Sequence, residues 1–431
     1  MIAFERFAVS RVLKHLSMLH KYKSFGSSVL KLKILSTIFL FGANLSFAQT
    51  PSQNSCLKCH ADYFEDMKAS VHSKEAVFCN SCHGGNPTQA KQKLAHSVQK
   101  GFVGIPDKSM IPDLCGKCHA DVVRMNFYGI ATDQLAKYKT SHHGKSLFEK
   151  KLTDVAVCSD CHGYHDVVPV KDPAGPVYPR NIIQTCGTCH ADEKLMNKYN
   201  LPSDILEKYK RSVHGRALLE KGDTGVAQCV SCHGSHGAMP PRVKNIVSTC
   251  GKCHINERKY FLESVHAKLA EEGKFSECIA CHSNHEVKPA SLEFYDLMCL
   301  RCHQKTDPAL NSGGRILTLL KDSERMVKIS SEAVKQAGID GLFTEEEEAL
   351  LDEARTKTIE LRPLQHTLDL ERISKQHVGL KAKNDEIISK LEAKRKDRLV
   401  RKLVLVFIWI FTLLMMLALW KRYKQYTPKN K

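Results

Sequence analysis

The chain has 431 residues, 26% of them charged and 42% hydrophobic, and its formal net charge is +18. This charge lies at the two ends: residues 1–48 contain seven basic residues and one acidic residue, and residues 394–431 contain eleven and one. Only +2 remains for the chain between them. The basic footprint that nucleic-acid binding requires is therefore absent from the body of the chain, and we exclude a nucleic-acid partner.

The N-terminal segment 1–48 has the pattern of a secretory signal peptide. Two lysines precede the apolar run 34–41, and Ser46-Phe47-Ala48 supplies small residues ahead of a cleavage point. Translation from Met18 instead of Met1 would give the signal a usual length, and the sequence leaves the choice open. An uncleaved transmembrane anchor is the alternative reading of the apolar run.

The stretch from residue 56 to residue 303 contains the pattern Cys-x-x-Cys-His nine times, and the nine copies use all eighteen cysteines. The pattern is typical of covalent haem c attachment, in which the two thiols bind the haem vinyl groups and the following His is the proximal iron ligand. Zinc ribbons and redox motifs also use Cys-x-x-Cys, but nine copies, each followed by His, disfavour them. We therefore predict nine covalently bound haem c groups (iron). The predicted thioether residues are Cys56, Cys59, Cys79, Cys82, Cys115, Cys118, Cys158, Cys161, Cys186, Cys189, Cys229, Cys232, Cys250, Cys253, Cys278, Cys281, Cys299 and Cys302, and the predicted proximal ligands are His60, His83, His119, His162, His190, His233, His254, His282 and His303.

The motifs form an internal repeat of two-haem modules. The second and third modules are offset by 71 residues, and each has a Ser-x-His-Gly segment between its two motifs and a further His three residues after the second proximal His. Four modules and a single last motif account for the nine copies. The repeated slots predict the distal iron ligands His72, His143, His214 and His266, together with His165, His236 and His285. The first module has Asn86 in the last slot, and His96 downstream is the predicted substitute.

The ninth distal ligand is an open question. His366 and His377 lie eleven residues apart in a helical region, so we expect both to face one side of a single helix. Three alternatives remain: His366 folds back onto a haem, His366 is solvated, or one haem is five-coordinate and open to substrate.

The haem-binding stretch has too little chain for each haem to form an ordinary side-chain core, so the porphyrins should form its core. We predict a mainly α-helical fold with much irregular structure and almost no sheet. The expected organisation is a nonahaem cytochrome c domain at 49–310, a helical stalk at 311–400, one C-terminal transmembrane helix at 401–422 and a short basic cytoplasmic tail at 423–431.

Helix-forming residues dominate the predicted stalk. Residues 315–336 should form one helix, and a capping box at 344–347 should start a second helix that continues, with a bend at Pro363, toward Arg401. The expected arrangement is a helical hairpin packed on the haem array or on a partner.

The segment from Leu403 to Trp420 is apolar and lacks charges, and as a helix it spans about 27 Å, close to the thickness of a bilayer core. Trp420 and Tyr423 lie where an aromatic belt belongs. Basic residues flank both ends, so the orientation follows from the signal peptide. It places the haem domain in the periplasm, the apolar helix in the cytoplasmic (inner) membrane and the C-terminal tail in the cytoplasm.

The Ser-x-His-Gly and Cys-x-x-Cys-His-Gly-x-His units resemble those of the periplasmic multihaem c-type cytochromes, over about residues 56–303. The resemblance implies closely packed bis-histidine haems that conduct electrons. That family includes quinol-oxidising members and members that reduce nitrite or tetrathionate or oxidise hydroxylamine. This chain departs from the former, whose anchor is N-terminal, and from nitrite reductases, in which one motif ends in Lys.

The expected function is electron relay between a membrane (quinol-linked) donor and a periplasmic or membrane acceptor. Expected partners are the membrane, a cytochrome b-type or quinol-oxidising membrane subunit, and a periplasmic reductase. Bis-His ligation closes both axial positions, which favours an electron-transfer protein over an enzyme. Two alternatives remain: a multihaem oxidoreductase with one five-coordinate haem that acts on a small nitrogen or sulfur compound, and a scaffold subunit of a respiratory complex.

Overall fold

The computed structural model describes residues 54–240 and 246–426, so the predicted signal peptide and the end of the predicted tail lie outside the described residues. The chain divides into two compact units, Met1–Gly104 and Ile105–Lys431. The described residues are mainly helical and include no β-strand, which confirms the predicted mainly α fold.

The first unit consists of short helices joined by turns. Its described α-helices are α1 (Tyr63–Ala69), α2 (Val71–Lys74), α3 (Cys79–His83) and α4 (Gln92–Ala95), and it has 3-10 helices at Ser55–Lys58 and Val98–Lys100. Gly84 follows α3 with a φ of +68°, and a Cβ there would lie 2.0 Å from the carbonyl oxygen of Gly101. Only glycine allows the chain to turn at this close approach.

The second unit begins with a haem-motif region of short helices. These are α5 (Ile111–His119), α6 (Val122–Asn126), α7 (Gln134–Thr140), α8 (His142–Phe148), α9 (Cys158–His162), α10 (Ile182–His190), α11 (Glu193–Lys198), α12 (Ile205–Arg211), α13 (Val213–Leu219), α14 (Cys229–His233), α15 (Ile246–Cys250), α16 (Ile255–Leu262), α17 (Val265–Glu271), α18 (Glu277–His282) and α19 (Phe294–Leu297), with 3-10 helices at Lys108–Met110 and Cys299–Arg301. The order α5 to α9 recurs as α10 to α14, in agreement with the sequence repeat.

The Ser-x-His-Gly segment has the same geometry in both copies. Ser141 is the N-cap of α8: its Oγ accepts a hydrogen bond from the Gly144 N–H at 2.9 Å and donates to the Tyr138 carbonyl at 2.7 Å. A Cβ at Gly144 would lie 1.9 Å from that carbonyl oxygen. Ser212 and Gly215 repeat the cap at 2.9 Å. The motif therefore begins the helix that presents the central His, and its glycine lets two backbone segments meet.

Apolar clusters in this region are small. One contains Tyr138, Leu147 and Val157, and another contains Ile182, Ile183 and Leu218, with partly buried neighbours around them. That porphyrins complete this core remains a prediction.

The C-terminal part of the unit is a three-helix bundle made of α20 (Pro308–Ile339), α21 (Glu345–Leu364) and α22 (Leu370–Tyr426). Two clusters of buried side chains hold it together. The haem-side cluster is Ile316, Leu320, Leu361, Leu364 and Ile373, and the anchor-side cluster is Val334, Ala337, Leu351, Ile387 and Leu391. Tyr260, Leu292 and Tyr295 of the haem-motif region pack on the haem-side cluster, whereas the partly buried apolar residues on the anchor-side cluster all come from the bundle.

The bundle corrects the predicted hairpin. The prediction of one bent helix after residue 344 was wrong: a 3-10 turn, Gln365–Thr367, follows α21, and Leu368 with a φ of +54° ends it. The Asp369 carboxylate then accepts a hydrogen bond from the Arg372 N–H at 3.0 Å and starts α22. A left-handed residue cannot continue a helix, so the chain reverses here instead of bending at Pro363. His366 and His377 consequently lie on different elements.

The starts of the first two bundle helices also differ from the prediction, the first in its position and the second in its cap. The first stalk helix begins at Pro308, earlier than predicted, because Asp307 caps it by accepting from the Ala309 N–H at 2.9 Å. The second begins at Glu345 as expected, but without the predicted capping box: the Thr344 hydroxyl donates to the Glu348 carboxylate at 2.8 Å. Proline at the first helical position favours the earlier start of α20.

Helix α22 is 57 residues long, and its C-terminal part is apolar and exposed. Among the described residues it is the one helix long and apolar enough to cross a membrane, and none of its apolar window is buried. It is compatible with the predicted membrane anchor.

Candidate haem-binding sites

The second motif of the second module forms a one-turn helix, α9, that begins at Cys158 and ends at His162. The Asp160 carboxylate accepts a hydrogen bond from the Val157 N–H at 2.7 Å and fixes the start of the turn. Cys158 and Cys161, three residues apart, therefore lie on one face of the turn. All eighteen cysteines lie among the described residues, and none of them forms a disulfide there.

Histidine rings face one another at a recurrent separation. A metal-bound imidazole nitrogen lies about 2 Å from the metal, and the ring centre lies about 1 Å beyond it, so two rings on opposite sides of one metal are about 6 Å apart. The contacts described for the resolved rings include seven pairs with this separation between ring centres: His60–His96 at 6.1 Å, His143–His190 at 6.1 Å, His162–His236 at 6.0 Å, His214–His254 at 6.4 Å, His233–His285 at 6.0 Å, His266–His303 at 6.2 Å and His282–His366 at 6.3 Å. Each pair joins one predicted proximal ligand to one predicted distal candidate. The donor set therefore fits a haem iron with two axial imidazoles.

Burial lowers the pKa of eight of these imidazoles and so favours the neutral form that binds metals. Burial, followed by the nearby His190, lowers the pKa of His143 to about 4. Burial likewise lowers the pKa of His162, His190, His214, His236, His266, His282 and His285. Because an imidazole with a lowered pKa is unprotonated at neutral pH, protons do not compete with a metal for its nitrogen.

Hydrogen bonds at Nδ1 orient several of these rings. Nδ1 lies 2.7 Å from the Gly104 carbonyl in His83, 3.3 Å from the Met239 carbonyl in His233 and 3.0 Å from the Pro363 carbonyl in His366. In His303 the acceptor is a carboxylate instead, that of Asp307 at 2.7 Å. A Nδ1–H so engaged leaves Nε2 as the nitrogen for a metal and fixes the plane of the ring.

The pairs join neighbouring modules. His143 of the second module faces His190 of the third, and His236 of the third faces His162 of the second. His96 faces His60 within the first module. The sequence repeat predicted which histidines take part but not this exchange between modules. The roles of the paired histidines as iron ligands remain predictions, and so do those of His72, His83, His119 and His165.

The two stalk histidines have different surroundings. His366 lies in the 3-10 turn between α21 and α22, opposite His282. His377 lies on α22 with its Nδ1 2.9 Å from the Ser323 hydroxyl. Of the two, His366 is the one that the fold brings to a haem motif.

Contacts between cysteines show which motifs are neighbours in space. Within each module the side chains of the first cysteines of the two motifs lie close to each other: Cys56 near Cys79, Cys115 near Cys158, Cys186 near Cys229 and Cys250 near Cys278. Between modules, burial and then the nearby Cys250 raise the pKa of Cys232, and burial and then Cys299 raise that of Cys281. In the second unit the predicted attachment points therefore follow one another in chain order.

A family model described as cytochrome c554 and c-prime matches residues 40–84 and 249–325. These segments contain the first two and the last three Cys-x-x-Cys-His motifs. No curated protein and no solved structure matches the chain. The match supports a c-type cytochrome family, and with it covalently bound haem c and electron transport.

Proposed function

We propose that this chain is a nonahaem c-type cytochrome that relays electrons outside the cytoplasm and is held to the inner membrane by its C-terminal helix. The observation that carries the proposal is the set of seven histidine pairs, each 6.0 to 6.4 Å apart and each made of one motif His and one His from outside a motif. Haem c, when bound, supplies one-electron chemistry at its iron.

The proposed role of the motif cysteines and the paired histidines is to bind the haems and to fix their positions. Each pair of motif cysteines would hold one haem, and the two imidazoles of a histidine pair would bind its iron, which would exclude small substrates from the metal. Two nitrogen ligands also favour a lower reduction potential than a His/Met pair. The consecutive order of attachment points from Cys115 to Cys302 supports a linear relay.

His366 is proposed as the ninth distal ligand, acting at the haem of the motif that ends in His282. It was one of three alternatives left open by the sequence, and the 6.3 Å separation of the rings supports it. With His366 in this role, no motif of the last two modules is left for a five-coordinate haem.

Electron paramagnetic resonance on the oxidised full-length holoprotein, with spins quantified per haem, tests the proposal. Nine low-spin haems are expected. A high-spin signal from one haem in nine that shifts on addition of nitrite or hydroxylamine would replace the relay with the second candidate, an oxidoreductase for a small nitrogen compound. The electron donor and acceptor are proposed to be a quinol-linked membrane system and a periplasmic reductase.

A further inference from the structure

The position of the bundle between the haem motifs and the apolar segment sets the distance at which electrons are exchanged. Helix α22 runs without a break from Leu370 to Tyr426, so the last haem-side contact and the start of the apolar segment lie on one rigid element. Because an α-helix rises by about 1.5 Å per residue, the number of residues between two points on α22 gives their distance along the helix axis.

The contacts between the bundle and the haem-motif region gather at one end. Arg372 on α22 forms an ion pair with Glu263 and lies 5.2 Å above the ring of Tyr260. At the same level, the Tyr295 hydroxyl is 3.2 Å from the Gln365 side-chain oxygen. The last haem-side residue of α22 is Ile373, which is fully buried in the haem-side cluster.

Beyond this level, the packing and ion pairs described for the bundle join its own three helices to one another. The anchor-side cluster packs α20, α21 and α22 together, and ion pairs join α21 to α22: Glu353 with Lys383 at 2.9 Å, Glu346 with Lys390, and the buried Glu347 with Lys394 at 2.6 Å. Lys394 also donates to the Phe343 carbonyl at 2.9 Å, which holds the far turn of the bundle against α22. This half is therefore a packed three-helix rod and not a flexible tether.

The length of the rod follows from the sequence numbers. Thirty residues separate Ile373 from Leu403, where the apolar segment begins, and this corresponds to about 45 Å. The headgroup layer occupies about 5–8 Å of that height. A helix tilt of about 20° shortens it by only a few Å. The haem motifs that contact the upper end of the bundle thus stand several tens of Å above the lipid surface.

We propose that the bundle is a rigid spacer, and that the haem sites at its upper end exchange electrons with a protein-borne redox centre that docks beside the haem-motif region, not with a quinol in the lipid phase. The inference rests on the proposed relay function and on α22 as the anchor. Electron tunnelling falls exponentially with distance, so a gap of this length is not crossed in one step. Any link to a membrane quinol pool then requires a second protein that carries its own redox centre upward along the bundle.

The first test measures the gap directly. Cryo-electron microscopy of the full-length holoprotein in lipid nanodiscs should show the haem-motif region of the second unit separated from the disc surface by a three-helix rod of about 35–45 Å. A haem-motif region resting on the disc would overturn the proposal. Ile387→Asp, which puts a carboxylate into the anchor-side cluster, should abolish the defined gap, whereas Val378→Asp at a 62% exposed site should preserve it. A preserved gap in Ile387→Asp would contradict the role of that cluster.

The second test concerns the partner. The holoprotein is reconstituted in liposomes and offered a quinol in two forms with the same headgroup: a water-soluble short-chain form that reduces the protein, and a long-chain form confined to the bilayer. Haem reduction by the long-chain form should not exceed the rate in quinol-free liposomes, and equal rates would overturn the inference. The spin count and full reduction by dithionite are measured on the same sample, so that failure of the relay function is distinguished from failure of the spacer.

Discussion

The bundle and the haem-motif region of the second unit bury apolar side chains at very different densities. Among the described residues, the 93 residues from 308 to 400 contain thirteen buried apolar side chains, whereas the stretch 105–307, more than twice as long, contains eleven. The bundle therefore has a complete core of its own, and the haem-motif region has only small clusters between its motifs. This difference suggests that one region folds by ordinary helix packing and the other requires its cofactor.

Removal of haem should produce the largest difference in stability between the two regions. In protein produced without haem attachment, residues 105–307 should lose protection from amide hydrogen exchange, because their apolar clusters are too small to offset the entropy of ordering the chain. Helices α20 and α21 should retain theirs. Hydrogen-exchange mass spectrometry on the haem-free and haem-loaded proteins in detergent measures both. Equal protection of the haem-motif region in the two forms would show that its core is complete without porphyrin.

A cavity in the bundle should be the next largest effect. Ile387 is fully buried in the anchor-side cluster, and Ile387→Ala should cost roughly 2–5 kcal/mol of bundle stability. Val378→Ala on the same helix removes an exposed side chain and should change stability little. Exchange rates of the α20 and α22 amides in the holoprotein report the loss, which should leave the haem-motif helices unaffected. An effect that spread into those helices would mean that the two regions unfold together.

His366 lies where the bundle meets the haem-motif region, and its proposed role leads to a spectroscopic prediction. His366→Ala should convert one low-spin haem in nine to high spin, because the proposed distal ligand of the His282 haem is lost. His377→Ala is the matched control: it removes a bundle histidine whose partner is Ser323, and the spin count should stay unchanged. A high-spin signal in the control variant, or none in His366→Ala, would contradict the assignment.

The sequence predicted more of the site than of the fold around it. Repeated spacing predicted the histidines at 143, 214 and 266 as distal candidates, because 143 and 214 occupy equivalent slots 71 residues apart and 266 occupies the same slot of a shorter module. It could not identify their partners, since the partner lies in another module and periodicity carries no information on packing between modules.

The break after α21 was missed for a related reason. Pro363 was the visible signal, but a proline near the end of a helix is compatible with either a bend or a stop. The deciding features were the left-handed Leu368 and the cap at Asp369, and neither is a strong signal in sequence. A leucine rarely adopts φ above zero, and here the turn lies between Leu364 and Ile373, which are both buried in the haem-side cluster.

Asp307 gives the smallest and most specific prediction, because it belongs to both regions at once. One carboxylate oxygen caps α20 through the Ala309 N–H, and the other accepts from Nδ1 of His303. A carboxylate in that position raises the basicity of an imidazole ligand, which stabilises the oxidised iron and lowers its reduction potential. Asp307→Asn retains a good helix cap but removes the charge. It should therefore shift the potential of the haem at Cys299 and Cys302 upward in a spectroelectrochemical titration, with little change in stability.

Asp369→Asn makes the same charge change at another N-cap of the bundle, where the carboxylate accepts from the Arg372 N–H. It should leave every potential close to its original value, since Asp369 has no hydrogen bond to a predicted iron ligand among the described contacts. Equal shifts in both variants would mean that general charge, and not the Nδ1 hydrogen bond, sets the potential. A shift confined to Asp307→Asn would show that the residue that begins the spacer also tunes the last haem of the relay.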